Sequence, residues 1–98
     1  MSMNNENLIS VVVTTYNQED YIENCLRSVL EQECSARIEI LVGDDCSTDN
    51  TKLIIQKLAT EFPNIIKPVY NEHNVGLSQN LYNQIVRSRG GNCLFGWR

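Results

Sequence analysis

Two stretches of the chain place polar side chains directly after runs of β-branched and aliphatic residues. Thr14–Asn17 follows the run Ile9–Val13, and Gly43–Asn50 follows the run Arg37–Val42. In an open α/β sheet, ligands bind in the crevice beyond the carboxyl ends of parallel strands. Because both stretches lie at predicted strand ends, they indicate one shared polar rim that could bind a ligand.

Asp44 and Asp45 are the most chemically informative residues of this rim. Two neighbouring carboxylates repel each other unless a ligand proton donor, a cation or backbone N–H groups offset their charge. Ser47–Asp49 comes next and has a simpler interpretation, because these residue types commonly cap the first turn of a helix. Asp45 lies upstream of that cap, so a binding role fits it better than capping does.

Hydrophobic periodicity predicts the elements that position the first half of the rim. Leu8–Val13 and Arg37–Val42 are short apolar runs, typical of strands that are covered on both faces. Between them, apolar residues recur at helical spacing over residues 18–32. Asn17 is placed to cap this helix, and Glu19 would then lie in its positively polarised first turn.

The second half of the chain repeats this alternation. A helix follows Ser47–Asp49 and stops at Pro63. A third strand covers Ile65–Tyr70, and Pro68 favours a sheet edge because proline cannot donate a ladder hydrogen bond. A third amphipathic helix ends at the glycine pair that begins with Gly90. Its apolar positions are Leu77, Leu81, Tyr82, Ile85 and Val86.

This order of elements predicts the fold class. Strands that alternate with helices at this spacing give a parallel sheet with right-handed crossovers. We therefore expect a Rossmann-like, three-layer α/β/α fold with a mainly parallel sheet. At 98 residues the chain fits one domain, residues 1–98, which is large enough to bury a core without metal or disulfide bonds.

Charge and cysteine content limit the classes of partner. The net charge of −4 disfavours binding to nucleic acid or to an anionic membrane surface. It does not disfavour a nucleotide, because backbone N–H groups, a helix N-terminus or a cation can face the phosphates. The four cysteines show no C-x-x-C spacing, so we expect free thiols. With no signal-peptide pattern in the sequence, we expect a cytoplasmic location.

Three motifs together resemble a known family. Ile9–Asn17, Ile40–Thr51 and Asn74–Gly76, in this order and at this spacing, look like the N-terminal nucleotide-binding part of a family 2 glycosyltransferase of the GT-A fold. The resemblance extends from about Leu8 to Gly90. It implies a nucleoside-diphosphate sugar as partner, with a UDP-sugar favoured, for transfer of the sugar to an acceptor. In a longer protein of this family the acceptor can be membrane-associated.

The resemblance also implies roles for individual residues. Thr14 and Tyr16 would line the base and ribose, with Thr15 at the same strand end. Asp45 would accept a hydrogen bond from the base ring N–H, whereas Asp44 would support the turn. Three further residues match positions that border the donor, namely Glu19, Gly76 and Asn80. For Glu19 and Asn80 an ordinary surface position fits as well as a binding role.

The sequence also departs from the family pattern. Thr14 stands where a proline is common, and Gly43 stands where a larger apolar residue is usual. Members of the family bind a divalent cation, Mn²⁺ or Mg²⁺, through an Asp-x-Asp motif on the strand after the third helix. Here Gly91–Arg98 begins such a strand and contains no acidic residue. We therefore expect the cation ligands and the catalytic base to be absent from this chain, which would be inactive alone.

The sequence fits other classes of α/β protein less well. A dinucleotide-dependent oxidoreductase should show G-x-G-x-x-G after the first strand, and this turn has no glycine. In a receiver-like signalling domain the acidic pair follows strand one, whereas here it follows strand two. The alternative that stays open is a non-catalytic, truncated fragment that self-associates. In such a fragment, the apolar residues Leu94, Phe95 and Trp97 would lie near an exposed sheet edge beside strand one. Two copies could then associate through this edge into a homo-oligomer.

Overall fold

A computed structural model describes residues 8–31, 37–88 and 91–96. Strands and helices alternate along these ranges. The strands are β1 (Leu8–Thr15), β2 (Arg37–Asp44), β3 (Ile66–Tyr70) and β4 (Gly91–Gly96), and the helices are α1 (Ile22–Leu30), α2 (Thr51–Glu61) and α3 (Leu77–Val86). None of the helices in these ranges is both long and apolar enough to cross a bilayer.

The strands form one sheet in the order β3-β2-β1-β4, and all of its neighbouring strands are parallel. The predicted parallel α/β sheet is therefore confirmed. β1 and β2 pair along their whole length, so that Thr15 lies beside Asp44 at the carboxyl edge. The two polar strand ends recognised in the sequence are thus neighbours in space.

The hydrophobic core lies between the sheet and the helices α1 and α2. Alternate residues of β1 and β2 point into it, as the two-residue period of a strand requires. A fully buried aliphatic side chain contributes about 1.5–3 kcal/mol, so this side of the sheet supplies most of the stabilising burial. The buried members are Val11, Val13, Ile22, Leu26, Val29, Ile40, Val42, Ile55, Leu58 and Ile66.

Helix α3 contacts β1 and β2 on the other face of the sheet. Gly43 lies on that face, since its neighbour Val42 points into the core. Asn80 and Gln84 of α3 lie directly against Gly43, and each is only 1% exposed. The helix is present as predicted, and it completes the three layers.

The sequence-based prediction of which face α3 buries is wrong for three of its five apolar positions, whereas Leu81 and Ile85 are half-buried. Leu77, Tyr82 and Val86 were expected to point inward, and they are 44%, 61% and 60% exposed. The buried face is polar because Asn80 Nδ2 donates a hydrogen bond to the Gly43 carbonyl at 2.9 Å. Gly43, which has no side chain, leaves the space that these amide groups occupy.

Helix α1 begins later than predicted. Asn17 has a φ of 51° and is not its N-cap. The Gln18 carbonyl accepts a hydrogen bond from the Ile22 N–H at 2.9 Å, and a turn precedes the helix. Glu19 therefore lies before the helix rather than in its first turn. The predicted end at Gln32 lies outside the described residues.

Of two predictions about the sheet edges, one is confirmed and the other is wrong. Pro68 lies in the edge strand β3, as predicted. The edge of β1 was expected to be open, but Gly91–Gly96 pairs with Ile9–Thr14 and covers it. Within the described residues, the outer edges belong to β3 and β4. Trp97 and the predicted helix end at Gly90 lie outside the described residues, and self-association stays a prediction.

We predict that Gly43→Ala lowers the free energy of unfolding by about 1–3 kcal/mol, the usual cost of overpacking. A Cβ at this position would collide with Asn80 Oδ1 and Gln84 Nε2, which are buried and hydrogen-bonded. Urea unfolding measures the change. The double variant Gly43→Ala/Gln84→Ala should cost less than the sum of the two single variants, because the shorter side chain removes one collision. Strict additivity would contradict this packing.

Candidate functional site

A pocket of about 230 Å³ lies at the carboxyl ends of β1 and β2. The strand order reverses direction at β1, and ligands of open α/β sheets bind at such a switch point. The predicted site residues line this pocket, with the exception of Glu19 and Asp44. The lining residues are Thr14, Thr15, Tyr16, Asp45, Asn74, Gly76, Leu77 and Asn80.

The carboxylate of Asp45 ties the end of β2 to the loop between β3 and α3. Its Oδ1 accepts hydrogen bonds from the Val75 N–H at 2.8 Å and from Asn71 Nδ2 at 3.0 Å. Its Oδ2 accepts one from the Gly76 N–H at 2.9 Å. In return, Asn74 Nδ2 donates to the Asp45 carbonyl at 3.0 Å. The carboxylate therefore determines where this loop lies, and with it one side of the pocket.

Asp45 stays charged at neutral pH and keeps room for one more donor. Burial would raise its pKa, but the hydrogen bonds from Val75, Asn71 and Gly76 outweigh burial and hold the pKa below its ordinary value. Each carboxylate oxygen has two acceptor positions. Among the described residues, Oδ1 accepts two hydrogen bonds and Oδ2 accepts one, so Oδ2 has an acceptor position left for a ligand.

Asp44 serves a different loop, although it is adjacent to Asp45 in sequence. Its Oδ1 accepts a hydrogen bond from Ser47 Oγ at 2.6 Å, and its Oδ2 accepts one from the Ser47 N–H at 3.2 Å. Burial raises the pKa of Asp44, and the hydrogen bonds from Ser47 offset only part of this effect. Asp44 holds the turn after β2 and does not line the pocket.

The loops after β1 and β2 hold each other in place. Asn17 Oδ1 accepts hydrogen bonds from the N–H groups of Thr48 at 2.8 Å and Asp49 at 3.4 Å. In the reverse direction, the Asn17 N–H donates to Ser47 Oγ at 2.9 Å. Asn17 therefore satisfies the backbone just before α2 instead of capping α1. We call these contacts, together with those of Glu19, the loop clamp.

Glu19 belongs to the loop clamp and not to the pocket. Its Oε1 accepts a hydrogen bond from the Asn50 N–H at 2.9 Å, and its own N–H donates to Asp49 Oδ2 at 3.3 Å. Asp49 Oδ1 also accepts from the Thr51 N–H at 2.9 Å, which satisfies one of the free donors at the start of α2. The predicted capping function of Ser47–Asp49 thus falls to Asp49.

Three residues of the site were not predicted from the sequence. Asn74 and Leu77 line the pocket, and Asn71 contacts Asp45. Asn74 belongs to the Asn74–Gly76 motif, so that motif could have indicated it. Asn71 is a single polar residue after a strand, and no spacing distinguishes it.

Thr15 Oγ1 is buried with no hydrogen-bond partner in the described part of the chain.

The described residues do not fit a divalent cation. Within these ranges, no group of three or more His, Cys, Asp or Glu side chains comes together so as to hold a metal ion. Asp44 and Asp45 contact different loops and do not form a ligand pair. Within the described ranges, neither Cys25 nor Cys46 forms a disulfide bond, and the side chains of Cys34 and Cys93 lie outside the described residues.

Comparisons with known proteins agree with the fold. The chain matches the model of glycosyl transferase family 2 over residues 10–95. It is 33% identical over 82 residues to the uncharacterized protein Rv1520 of Mycobacterium tuberculosis, covering 84% of this chain and 24% of the relative. It is 39% identical over 75 residues to the dTDP-rhamnosyl transferase RfbG of Shigella flexneri, covering 74% of this chain and 25% of the relative.

Solved structures show the same relationship. TarS of S. aureus (residues 1–349) in complex with UDP has a TM-score of 0.78 and 31% identity, over 90% of this chain and 26% of TarS. The Pyrobaculum calidifontis mannosyltransferase PcManGT, in complex with GDP-Man and Mn²⁺, has a TM-score of 0.74 and 27% identity, over 82% and 24%.

The sheet therefore has the GT-A glycosyltransferase fold. This chain belongs to glycosyl transferase family 2. It spans about a quarter of the length of the relatives named above. These findings do not favour the alternative of a fragment whose role is self-association.

We predict opposite effects of glycine at the two non-glycine residues with positive φ. Cys46 has a φ of 62°, and its thiol makes only a long, exposed hydrogen bond to the Glu72 carbonyl at 3.6 Å. Cys46→Gly should therefore raise the free energy of unfolding by about 0.5–1 kcal/mol, because the relief of backbone strain outweighs the loss of this contact. Asn17→Gly relieves a similar φ of 51° but removes the acceptor for Thr48 and Asp49, and should lower stability by about 1 kcal/mol. Urea unfolding compares them. Stabilisation by both variants would contradict a stabilising role for the hydrogen bonds that Asn17 Oδ1 accepts from Thr48 and Asp49.

We predict that Asp44 and Asp45 affect acid stability in opposite directions. The pKa of Asp45 is lowered on folding, so its contribution is complete above the unfolded pKa of about 3.9 and is lost as pH falls through the folded value. The pKa of Asp44 is raised, so its contribution is complete below about pH 3.9 and is lost as pH rises through the folded value. Asp45→Asn should flatten the acid-side loss of stability, and Asp44→Asn should leave that loss in place. Urea unfolding between about pH 2.5 and 7 measures both profiles, and identical profiles for the two variants would contradict the assignment.

Proposed function

We propose that this chain forms the nucleotide-binding part of a glycosyltransferase that uses a nucleoside-diphosphate sugar, with a UDP-sugar favoured as donor. The observation that carries the proposal is the pocket at the ends of β1 and β2, where Asp45 Oδ2 keeps one open acceptor position. A nucleobase ring N–H is a donor suited to this position, because a charged acceptor gives a stronger hydrogen bond than a neutral one.

The size and lining of the pocket support a pyrimidine base. Its volume of about 230 Å³ is below the range of about 300–1,000 Å³ that is usual for pockets burying a drug-sized ligand. A base with part of a ribose is a ligand of the size that this pocket can hold. Tyr16 is 41% exposed at the end of β1, where its ring can pack against the base or the ribose. TarS, the structural relative with the higher of the two TM-scores, was solved with UDP.

The proposal extends to the whole reaction. Transfer requires neutralisation of the charge that develops on the diphosphate and deprotonation of the acceptor hydroxyl. Residues 76–98 contain no Asp or Glu that could serve either purpose. We therefore propose that these 98 residues alone transfer no sugar, and that Mn²⁺ or Mg²⁺ acts with ligands from elsewhere. Product formed by this chain from a sugar nucleotide and manganese would contradict this part.

The proposed partners follow from the same site and from the family. The nucleotide is the ligand of the pocket, and the acceptor can be membrane-associated. We do not propose nucleic acid as a partner, since the chain has a net charge of −4. A cytoplasmic location is also part of the proposal.

We predict that UDP binds weakly and that Asp45→Asn weakens its binding by about 10- to 150-fold. This range corresponds to about 1.5–3 kcal/mol for a hydrogen bond to a charged group. Isothermal titration calorimetry measures the affinity, with GDP titrated in parallel to compare the bases. Asp20→Asn is the matched control, because Asp20 is exposed and does not line the pocket. Equal UDP affinities for the wild type and Asp45→Asn would remove Asp45 from the site.

A further inference from the structure

A series of side-chain hydrogen bonds connects the pocket to the buried face of α3. Asn71 Nδ2 donates to Asp45 Oδ1 at 3.0 Å and to Asn80 Oδ1 at 3.3 Å. Gln84 Nε2 donates to the same Asn80 oxygen at 3.4 Å, and Arg87 Nε donates to Gln84 Oε1 at 2.6 Å. We call this series the amide ladder. It begins at the carboxylate that borders the pocket and ends at Arg87, the C-cap residue that follows α3.

The orientation of each amide group in the ladder is determined by its partners. Asn80 uses both acceptor positions of Oδ1, for Asn71 and Gln84, and its Nδ2 donates to the Gly43 carbonyl. Reversing the Asn80 amide would place N–H groups against N–H groups and oxygen against oxygen. Buried polar groups that lose their partners are costly. The amide ladder therefore has one favoured arrangement, which holds the Asn71 amide between Asp45 and Asn80.

Simple packing does not require this arrangement. Two apolar side chains in place of Asn80 and Gln84 could fill the space above Gly43 at less cost in desolvation. They would leave the Gly43 carbonyl without its hydrogen bond, and they would leave Asn71 without a second contact to hold it against Asp45. Asn80 and Gln84 thus fix the position of the Asn71 amide, which apolar side chains could not do.

We propose that Asn80 and Gln84 are positioning residues for the nucleotide pocket, which act through Asn71 to hold the Asp45 carboxylate so that Oδ2 faces the ligand. This inference rests on the proposed function, because it assigns a role in nucleotide binding. Gln84 does not line the pocket. An effect of Gln84 on nucleotide affinity must therefore be transmitted by Asn80, either directly, because Asn80 itself lines the pocket, or through Asn71 to Asp45. The double-mutant cycle below distinguishes these two routes.

The first test compares Gln84→Met with Gln79→Met in the 98-residue chain. Both exchanges replace an amide of α3 by an apolar side chain of similar length. Gln79 is exposed, and its Nε2 bonds only Asn83 Oδ1, at 2.9 Å, which makes it a matched control. Gln84→Met should raise the Kd for UDP by about fivefold and should also shift the titration of the Asp45 carboxyl in ¹³C NMR. Gln79→Met should change neither measurement.

A merely structural role would have a different signature. Gln84→Met would then lower the free energy of unfolding but leave the Kd and the Asp45 titration of the folded protein at wild-type values, and that result would overturn the proposal. If Gln84→Met does not fold, Gln84→Glu retains the size and the contact with Arg87 while it places an oxygen against Asn80 Oδ1. The same two measurements on Gln84→Glu then decide.

A double-mutant cycle tests the path. Asn71 is only partly buried, so Asn71→Ala should fold and should weaken UDP binding by itself. Adding Gln84→Met to Asn71→Ala should cost almost nothing further, because the connection is already broken. Additive effects would contradict transmission through Asn71. Failure of the wild type to bind UDP would refute the proposed function alone, since the Asp45 titration in the same variants still decides whether Gln84 positions that carboxylate.

Discussion

The hydrogen bonds between the Asp45 carboxylate and the loop before α3 are the interaction on which the pocket depends. This loop connects the edge strand β3 to α3 on the other face of the sheet. Backbone pairing with β2 reaches only its first residue, where the Asn71 N–H donates to the Asp44 carbonyl at 2.9 Å. The N–H groups of Val75 and Gly76 meet the carboxylate instead. Hydrogen bonds to a charged acceptor are roughly twice as strong as neutral ones. Gly76 has a φ of 93°, which a residue with a Cβ rarely adopts, and this conformation lets its N–H reach Asp45.

The two faces of the sheet differ in composition and in role. The face covered by α1 and α2 is aliphatic and supplies most of the burial that stabilises the fold. The face covered by α3 carries buried polar residues around Gly43, and these connect directly to the pocket. Departures from local rules of packing are expected at functional sites. Here the departure is a helix that exposes Tyr82 and Val86 and buries Asn80 and Gln84.

The sequence allowed much of the fold to be predicted, because strand and helix periods are local signals. The alternation of elements, the edge position of Pro68 and the two strand ends of the pocket all followed from them. The buried face of α3 did not, since hydrophobic periodicity assumes that the facing surface is apolar. Its polarity depends on contacts between Gly43 and Asn80, which are 37 positions apart. Asn17 was misjudged for the same reason, because its partner Thr48 is 31 positions away. The adjacent Asp44 and Asp45 contact separate loops, which sequence adjacency cannot reveal.

The most direct test of a nucleotide pocket at the carboxyl ends of β1 and β2 is an NMR titration of the ¹⁵N-labelled chain with UDP. We expect amide shift changes at Thr14, Tyr16, Val75 and Gly76. We expect no change around a second pocket of about 360 Å³, which lies at the other end of the sheet and is lined in part by Glu39 and Lys67. Shift changes confined to that second pocket, or no changes at millimolar UDP, would contradict the central claim.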